Sequence, residues 1–420
     1  MNDEQIEALR FELEDFVAEV FASLPRSDQR MKGTLYLRGL MLDGRRKSIQ
    51  PMAERLGIDH QQLQQFTASS TWAVEPVRRR IAGRAIEAIS PEAWVIDDTG
   101  FAKEGTASPG VARQYSGTLG KIGNCQVAVS LHAATDEASC PLNWRLYLPE
   151  AWDGDYASSN EAAQISQERR ERAGIPETVR HTKKWEQSLE MIDELAAWGH
   201  KPPAVVADAG YGDTTAFRLG LTERGINYVV AVTFTTSAHL ATATPQIPER
   251  TSTRGRTPLA QYPDPPLSLK ALALATGRKA LHQATWRHGT KKRPGNTTAA
   301  MKSRFMALRI RPANRDIPLN ADRTLPEVWM VAEWPVHEPE PTDYWISNLP
   351  ADTPLKTLVK LAKMRWRIEH DYRELKTGLG LDHFEGRSFN GFHRHLTLVS
   401  AAHLFITLKR LKAPKDQGAT

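Results

Sequence analysis

Residues 361–387 read LAKMRWRIEHDYRELKTGLGLDHFEGR. Wound at about 100° per residue, Leu361, Met364, Ile368, Tyr372 and Leu375 fall in one band about 80° wide. Arg365, Glu369 and Lys376 fall in a second band about 40° wide, beside the first. The spacing predicts one helix over 354–376, its apolar stripe on a core and one carboxylate held between two cations at the rim. Glu374 points the opposite way on this wheel, toward solvent. A carboxylate between basic side chains at a core edge suits a metal ion and a phosphate together, which makes Glu369 a candidate metal-binding catalytic residue. The plainer reading is a salt-bridged amphipathic helix, so partners elsewhere in the chain decide between the two.

Two strands supply those partners. Residues 93–97, AWVID, read as a short buried strand that ends in Asp97-Asp98-Thr99-Gly100, with loop over 101–123. Residues 124–134 and 139–148 are two further strands about a polar turn. A basic helix is expected near 160–173, and KKWEQSLEMIDELAAWG (183–199) is an amphipathic helix closed by Gly199. In PPAVVADAGYGD a buried strand, 204–207, ends in Asp208. A helix at about 214–224 and a strand at 227–232 come next. Three strands, a helix, a strand, a helix and a strand make an α/β chain with a mixed sheet, the first three antiparallel and the later ones parallel. Such sheets bind ligands at the C-terminal ends of their parallel strands, where Asp208 and one of Asp97 and Asp98 meet. Neighbouring strand residues point to opposite sides, so only one of that pair faces a shared site. Two strand-end aspartates and an acidic residue on a later helix build a two-metal phosphoryl-transfer site, whose ions lie about 3.5–4 Å apart on hard oxygen ligands. The set is Asp98, Asp208 and Glu369, with Asp97 as the alternative to Asp98.

The rest of the chain frames this core. Residues 1–90 are helical, and SIQPMAERLGIDHQQLQQF (48–66) has the shape of two short helices about a turn, with Ser48 as a candidate N-cap, Gly57 as a C-cap and Asp59 or His60 opening the second helix. That shape is compatible with a helix-turn-helix DNA reader, in which Arg45, Arg46 and Lys47 contact phosphates. Residues 234–268 are Thr/Pro-rich and read as loop or weak structure, and strand-like runs succeed them at 282–287, 304–311, 327–334 and 343–347. A last amphipathic helix covers 391–411. The expected division is a helical DNA-binding domain (1–90), the first part of the catalytic core (91–233), a β-rich insertion (234–340) and a C-terminal helical part carrying Glu369 (341–420).

The 420 residues hold two cysteines, Cys125 and Cys140, without a CxxC pair, which excludes a disulfide scaffold and a cysteine-rich zinc site. No apolar run approaches the roughly 20 residues that span a bilayer. The acidic amphipathic start is unlike a signal peptide, so a cytoplasmic protein is expected. The formal charge of +6 is clustered at 45–47, 78–80, 169–172, 183–184, 291–293 and 309–315, a pattern suited to a polyanion.

Arg365, Glu369 and Lys376 reproduce the R-x3-E-x6-K part of the Y-R-E-K signature, and the sequence here resembles a large group of DDE transposases from bacterial insertion sequences. Asp98-Thr99 after an apolar strand looks like that group's first catalytic Asp, and VVADAGYGD like its second. PGVARQYSGTLGKIGNCQV (109–127), RKSIQPMAERL (46–56), DYWISNLP (343–350) and residues 365–398 are similar to one branch of these enzymes. The resemblance implies a ribonuclease H-like core with a β-strand insertion between the second Asp and the Glu. It implies two Mg²⁺ ions, for which Mn²⁺ substitutes, and phosphate contacts from Arg365 and Lys376. It further implies cleavage of terminal inverted repeats in double-stranded DNA, joining of 3′-OH ends to target DNA, and a homodimer or larger synaptic complex on the nucleoid. The signature Tyr falls on Ala362, and Tyr372 is the candidate replacement. Two other readings use the same fold: a domesticated, non-catalytic DNA-binding protein, and a nuclease that does not join. Lys121 and Arg113 are candidate DNA contacts near the site, and Trp286, beside Arg287 and 291–293, is a candidate for stacking on an unpaired base. His393 and His395 point about 200° apart on a helix and are not a metal pair.

Overall fold

The computed structural model describes residues 3–249, 259–289, 292 and 294–412. The chain forms two compact units, Met1–Lys201 with Trp366–Thr420, and Pro202–Arg365. The fold is α/β, in keeping with a ribonuclease H-like core behind a helical N-terminus.

The first unit opens with α1 (Asp3–Val20), α2 (Ser27–Met41), α3 (Ile49–Leu56), α4 (His60–Ala68) and α5 (Val74–Ile89). Phe16, Phe21, Tyr36, Leu37 and Phe66 close their core. The expected short helix pair is α3 and α4. Gly57 takes φ 66° at the end of α3, a left-handed position that favours glycine. Asp59 Oδ1 accepts from Gln61 N at 2.9 Å to start α4. Ser48 holds the N-cap position of α3 without using its hydroxyl.

An antiparallel sheet comes next: β1 (Ala93–Ala102), β2 (Ala112–Ser116), β3 (Lys121–Ala134) and β4 (Ser139–Leu146). β3 pairs with β1 along one edge and with β2 and β4 along the other. β1 does not stop at Asp97. It continues through Ala102 because Asp98 to Ala102 pair with Val129 to Cys125 of β3. Gly100 permits the close approach of β2, since a Cβ there would lie 1.9 Å from Ser116 Oγ. Then come α6 (Asn160–Ala173) and α7 (Lys184–Ala197). Lys183 N donates to Glu186 Oε2 at 2.9 Å at the start of α7.

The second unit contains β5 (Val205–Ala207), α8 (Ala209–Gly212), α9 (Thr215–Glu223), β6 (Tyr228–Val232), β7 (Ser237–Leu240), β8 (Leu267–Ser268), α10 (Leu269–Thr276), β9 (His282–His288), β10 (Ala300–Pro312), β11 (Val328–Glu333), β12 (Asp343–Ser347) and α11 (Leu355–Lys363). Its strands run in the order β5-β6-β12-β11-β10-β7-β8, with β9 on β10. β5 and β6 are parallel and the other pairs antiparallel. The four strands expected between 282 and 347 are all present. α10 precedes them and has no counterpart in the sequence reading.

The chain returns to the first unit with α12 (Trp366–Arg373), a π turn (Glu374–Gly378) and α13 (Phe389–Lys412). The single helix expected over 354–376 is therefore broken twice. Met364 N closes on Leu361 O at 3.1 Å, and the chain turns at 364–365. After Arg373 the winding widens, and Leu379 N donates to Glu374 O at 3.2 Å. Arg365, Glu369 and Lys376 consequently sit on a turn, an α-helix and a π turn rather than in one band. The apolar residues keep their roles: Leu361, Met364, Ile368 and Leu375 are buried. Glu374 is half-buried and paired rather than fully solvated. Its Oε2 accepts from Arg410 Nη1 at 2.7 Å and lies 3.5 Å from His403 Nε2, both on α13. The His403 contact first, and then Arg410, hold this carboxyl far below its usual range. Among the described residues no helix is long and apolar enough to cross a membrane.

Candidate active site

β1 carries two adjacent carboxylates on opposite faces. Asp97 pairs with Ser130 and Asp98 with Val129, and directly paired residues project to the same side. On the Asp97 side, Ser130 Oγ lies 2.6 Å from Tyr372 Oη of α12. On the Asp98 side, Lys184 Nζ of α7 donates to Asp98 Oδ2 at 2.9 Å. Arg145, paired with Val129 on that same side, forms an ion pair with Glu194 of α7. Thus α12 covers the Asp97 face and α7 the Asp98 face.

Polar side chains fix α12 to the sheet. Asp371 is buried, its Oδ1 accepting from Ser139 Oγ at 2.6 Å and its Oδ2 lying 3.1 Å from His132 Nδ1. Arg367 Nε donates to the same Ser139 oxygen at 2.9 Å. His132 Nε2 lies 2.9 Å from Ser130 Oγ. Burial pushes the His132 imidazole down and keeps it neutral, against the pull of Asp371. Burial alone would raise Asp371, but the His132 hydrogen bond and the nearby imidazoles outweigh it and hold the carboxyl low and ionised. An ionised carboxylate only accepts, so His132 donates from Nδ1 and accepts at Nε2 from Ser130, and Tyr372 donates to Ser130. Arg367, Asp371 and Tyr372 bracket the exposed Glu369. The sequence reading missed this network. Its signals were Asp371 three residues after buried Ile368, and Ser130 and His132 two apart on one strand face.

Lys376 is tied to the carboxylate strand. Its Nζ donates to Gly100 O at 2.8 Å and to Thr118 Oγ1 at 3.2 Å, and it lies 5.5 Å from the Phe101 ring centroid. Burial lowers its pKa, while Asp382 opposes the shift. Asp208 lies in the second unit, between β5 and α8. Arg365 is the last residue of that unit. Ala362 is buried in α11. Tyr372 does not replace the signature Tyr at a DNA surface, because its hydroxyl is engaged with Ser130 and lies inside the fold.

The other expected contacts separate by exposure. Arg45 and Arg46 are exposed between α2 and α3, whereas Lys47 is buried, its ammonium on Leu42 O and its backbone N donating to His383 Nδ1 at 2.9 Å. Lys121 and Arg113 are exposed on the β2–β3 hairpin. Trp286 is half-buried, edge-on to Phe305 with centroids 5.7 Å apart and with Lys363 Nζ 5.4 Å from its ring. Of 291–293, only Lys292 is among the described residues. His395 lies 2.9 Å from Tyr36 Oη and 3.0 Å from Gly380 O, and is not part of a metal pair.

A family model described as "DDE superfamily endonuclease" matches residues 19–293. The chain belongs to the DDE superfamily of endonucleases. A probable transposase for insertion sequence element IS701 from Microchaete diplosiphon is 30% identical over 198 residues, which span 46% of this chain and 46% of that relative. The chain thus matches about half the length of this curated relative. The family match ends before Glu369, which lies on α12. Enzymes of the superfamily generally work with divalent metal ions. Among the described residues no group of three or more His, Cys, Asp and Glu is gathered closely enough to hold a metal. The donor set fits a hard divalent cation in kind, since Asp97, Asp98, Asp208 and Glu369 offer only carboxylate oxygens. An ammonium, Lys184 Nζ, already stands against Asp98.

Proposed function

We propose that this DDE endonuclease is an insertion-sequence transposase. It binds the terminal inverted repeats of its element, cleaves the ends by Mg²⁺-dependent hydrolysis and joins the 3′-OH ends to target DNA. The observation that carries this reading is the fixing of α12, which bears Glu369, against the sheet that carries the β1 carboxylates, with Lys376 anchored on β1 itself. Asp208, Glu369 and one β1 carboxylate hold the metal ions. The resemblance selects Asp98, which is engaged by Lys184; Asp97 shares its face with α12, and we assign the role to Asp97. When bound, the ions supply a nucleophile at neutral pH and charge stabilisation at the leaving oxygen.

The chain's own residues position and neutralise. Lys376 and Arg365 place positive charge beside the scissile phosphate, where negative charge builds up in the transition state. The Ser139–Asp371–His132–Ser130 network keeps the Glu369 helix from shifting on the sheet. In the first step water attacks the phosphodiester, the P–O3′ bond breaks and a 3′-OH is released. In the second that hydroxyl attacks a target phosphodiester, forming one P–O bond as another breaks. Arg45 and Arg46 supply sequence-independent phosphate contacts from the helical domain, and two protomers pair the two ends.

The test is cleavage of a DNA bearing the element's own inverted repeats by wild type, Glu369→Gln and Asp208→Asn, with Mg²⁺ or Mn²⁺. Loss of nicking in both variants with unchanged DNA binding supports the assignment. Retained nicking in Glu369→Gln overturns it. Pre-cleaved ends with a target plasmid distinguish joining from hydrolysis alone.

A further inference from the structure

A cleft of about 620 Å³ in the first unit is lined by residues of α5, β4, α7 and α13 and by the segments before α5 and α7. Four of its lining side chains are more than nine-tenths buried: Arg78, Gln187, His393 and Arg394. Each has a buried polar atom with no hydrogen-bond partner among the described residues: Arg78 Nε, Gln187 Oε1, His393 Nδ1 and Arg394 Nε. The hydrogen bonds that these two guanidinium groups do make go to neutral groups. Arg78 Nη1 donates to Asn143 Oδ1 at 2.8 Å, and Arg394 donates to the carbonyls of Thr67 (3.0 Å) and Trp72 (2.9 Å). Neither forms an ion pair among the described residues. Burial, and then the charge of Arg145, lowers the Arg78 pKa to about 10. The carboxylates that line the cleft, Glu75 and Glu190, are both exposed. Phe389 adds an aromatic wall, whereas the buried Trp72 ring is stacked on Phe66 with centroids 5.1 Å apart and lies under Arg394.

Buried polar atoms are ordinarily satisfied. Two guanidinium N–H groups call for an anionic acceptor, and the amide oxygen of Gln187 calls for a donor. An aromatic wall suits a flat ring, and the volume lies within the range of small-ligand sites. We infer that the cleft binds one phosphate-bearing nucleotide, its phosphate on Arg78 and Arg394 and its base against Phe389. The nucleotide is either free in solution or unpaired at the end of a DNA strand. This site is separate from the carboxylates of the proposed reaction and does not depend on them.

Calorimetry on the full-length chain tests it with 5′-dAMP, deoxyadenosine, inorganic phosphate and two duplexes of one sequence, one blunt and one carrying a single unpaired 5′-phosphorylated nucleotide. Ala73→Trp and Asn390→Trp place bulk at exposed lining positions without removing a buried group. The expected result is dAMP binding at least about tenfold tighter than deoxyadenosine, or overhang duplex binding about tenfold tighter than blunt duplex. Either preference should fall about tenfold in both tryptophan variants, while blunt-duplex affinity stays within about twofold. Preference for dAMP identifies a free nucleotide, and preference confined to the overhang identifies a DNA end. The proposal is overturned if neither ligand shows a phosphate-dependent preference, or if the preference survives in a tryptophan variant that retains its thermal unfolding transition.

Discussion

Lys184 Nζ lies 2.9 Å from Asp98 Oδ2 and holds that carboxylate on the α7 face of β1, while Asp97 faces α12. The resemblance favours Asp98, the aspartate followed by threonine; the face shared with α12 is the ground for proposing Asp97. Asp97→Asn is expected to lower end cleavage by about a thousandfold, and Asp98→Asn by less than about tenfold. Nicking assays in Mg²⁺ and Mn²⁺ check this, and the reverse order returns the role to Asp98.

Asp371 joins His132 and Ser139 below the surface on which Glu369 stands. Asp371→Asn replaces an ionised acceptor by a neutral amide and leaves His132 without its charged partner. Losing the charged acceptor of a neutral, buried donor costs about 2 kcal/mol, visible as a lower urea midpoint. The cleavage rate constant should fall about tenfold to a hundredfold while the apparent affinity for DNA stays within about threefold. Asp371→Glu, which keeps the charge, should recover part of the rate. A variant that loses stability but keeps its rate per folded molecule would show that the network only supports the fold.

Gly100 is dictated by space rather than by backbone conformation. A methyl group at this position meets Ser116 Oγ at 1.9 Å, so Gly100→Ala must push β2 away or bend β1. A loss of about 2 kcal/mol is expected. The double variant Gly100→Ala, Ser116→Gly should recover most of it. Equal stabilities for the single and double variants would show that the contact is not the cause.

His395 is buried between Tyr36, Gly380 and Phe384, and burial pushes its pKa down to about 4. An unfolded histidine titrates near 6.5. Between these values the unfolded chain takes up a proton that the folded chain refuses, so stability falls as the pH drops through this window. The contribution present at pH 7.5 should shrink by about 2 kcal/mol at pH 5. Chemical denaturation at several pH values measures it, and His395→Gln should flatten the profile. His132 and His393 shift in the same direction and add to the slope.

Much of the architecture was legible because it depends on local periodicity. The amphipathic period of α7, the apolar runs of β5 and β6 and the strands from β9 to β12 were each readable from a few neighbouring residues. The turn of α3 and α4 was readable from Gly57 and Asp59. The features that escaped notice depended on distant partners. β1 runs past Asp97 because β3 continues opposite it. β2 hides in a loop-like stretch because five residues of edge strand leave little pattern. The helix from 354 to 376 looked continuous because its apolar residues are buried whichever way the backbone winds between them. The carboxylates were legible as residue types, whereas Lys47 turned inward through its packing against the segment around Gly380 and His383, far away in sequence. A wheel drawn on one segment cannot contain such a contact.

The π turn at Glu374–Gly378 makes this segment sensitive to length. It holds one residue more than regular winding would accommodate. Removing any one of its residues would let the chain rewind as an ordinary helix, which leaves the flanking backbone in place and turns the residues inside the turn by up to about 100°. Lys376 would then leave Gly100, or Glu374 would leave Arg410. Substitutions within these five positions alter one contact at a time, but a single deletion or insertion alters all of them together. Chains that share this arrangement should therefore vary here in residue type and not in residue number.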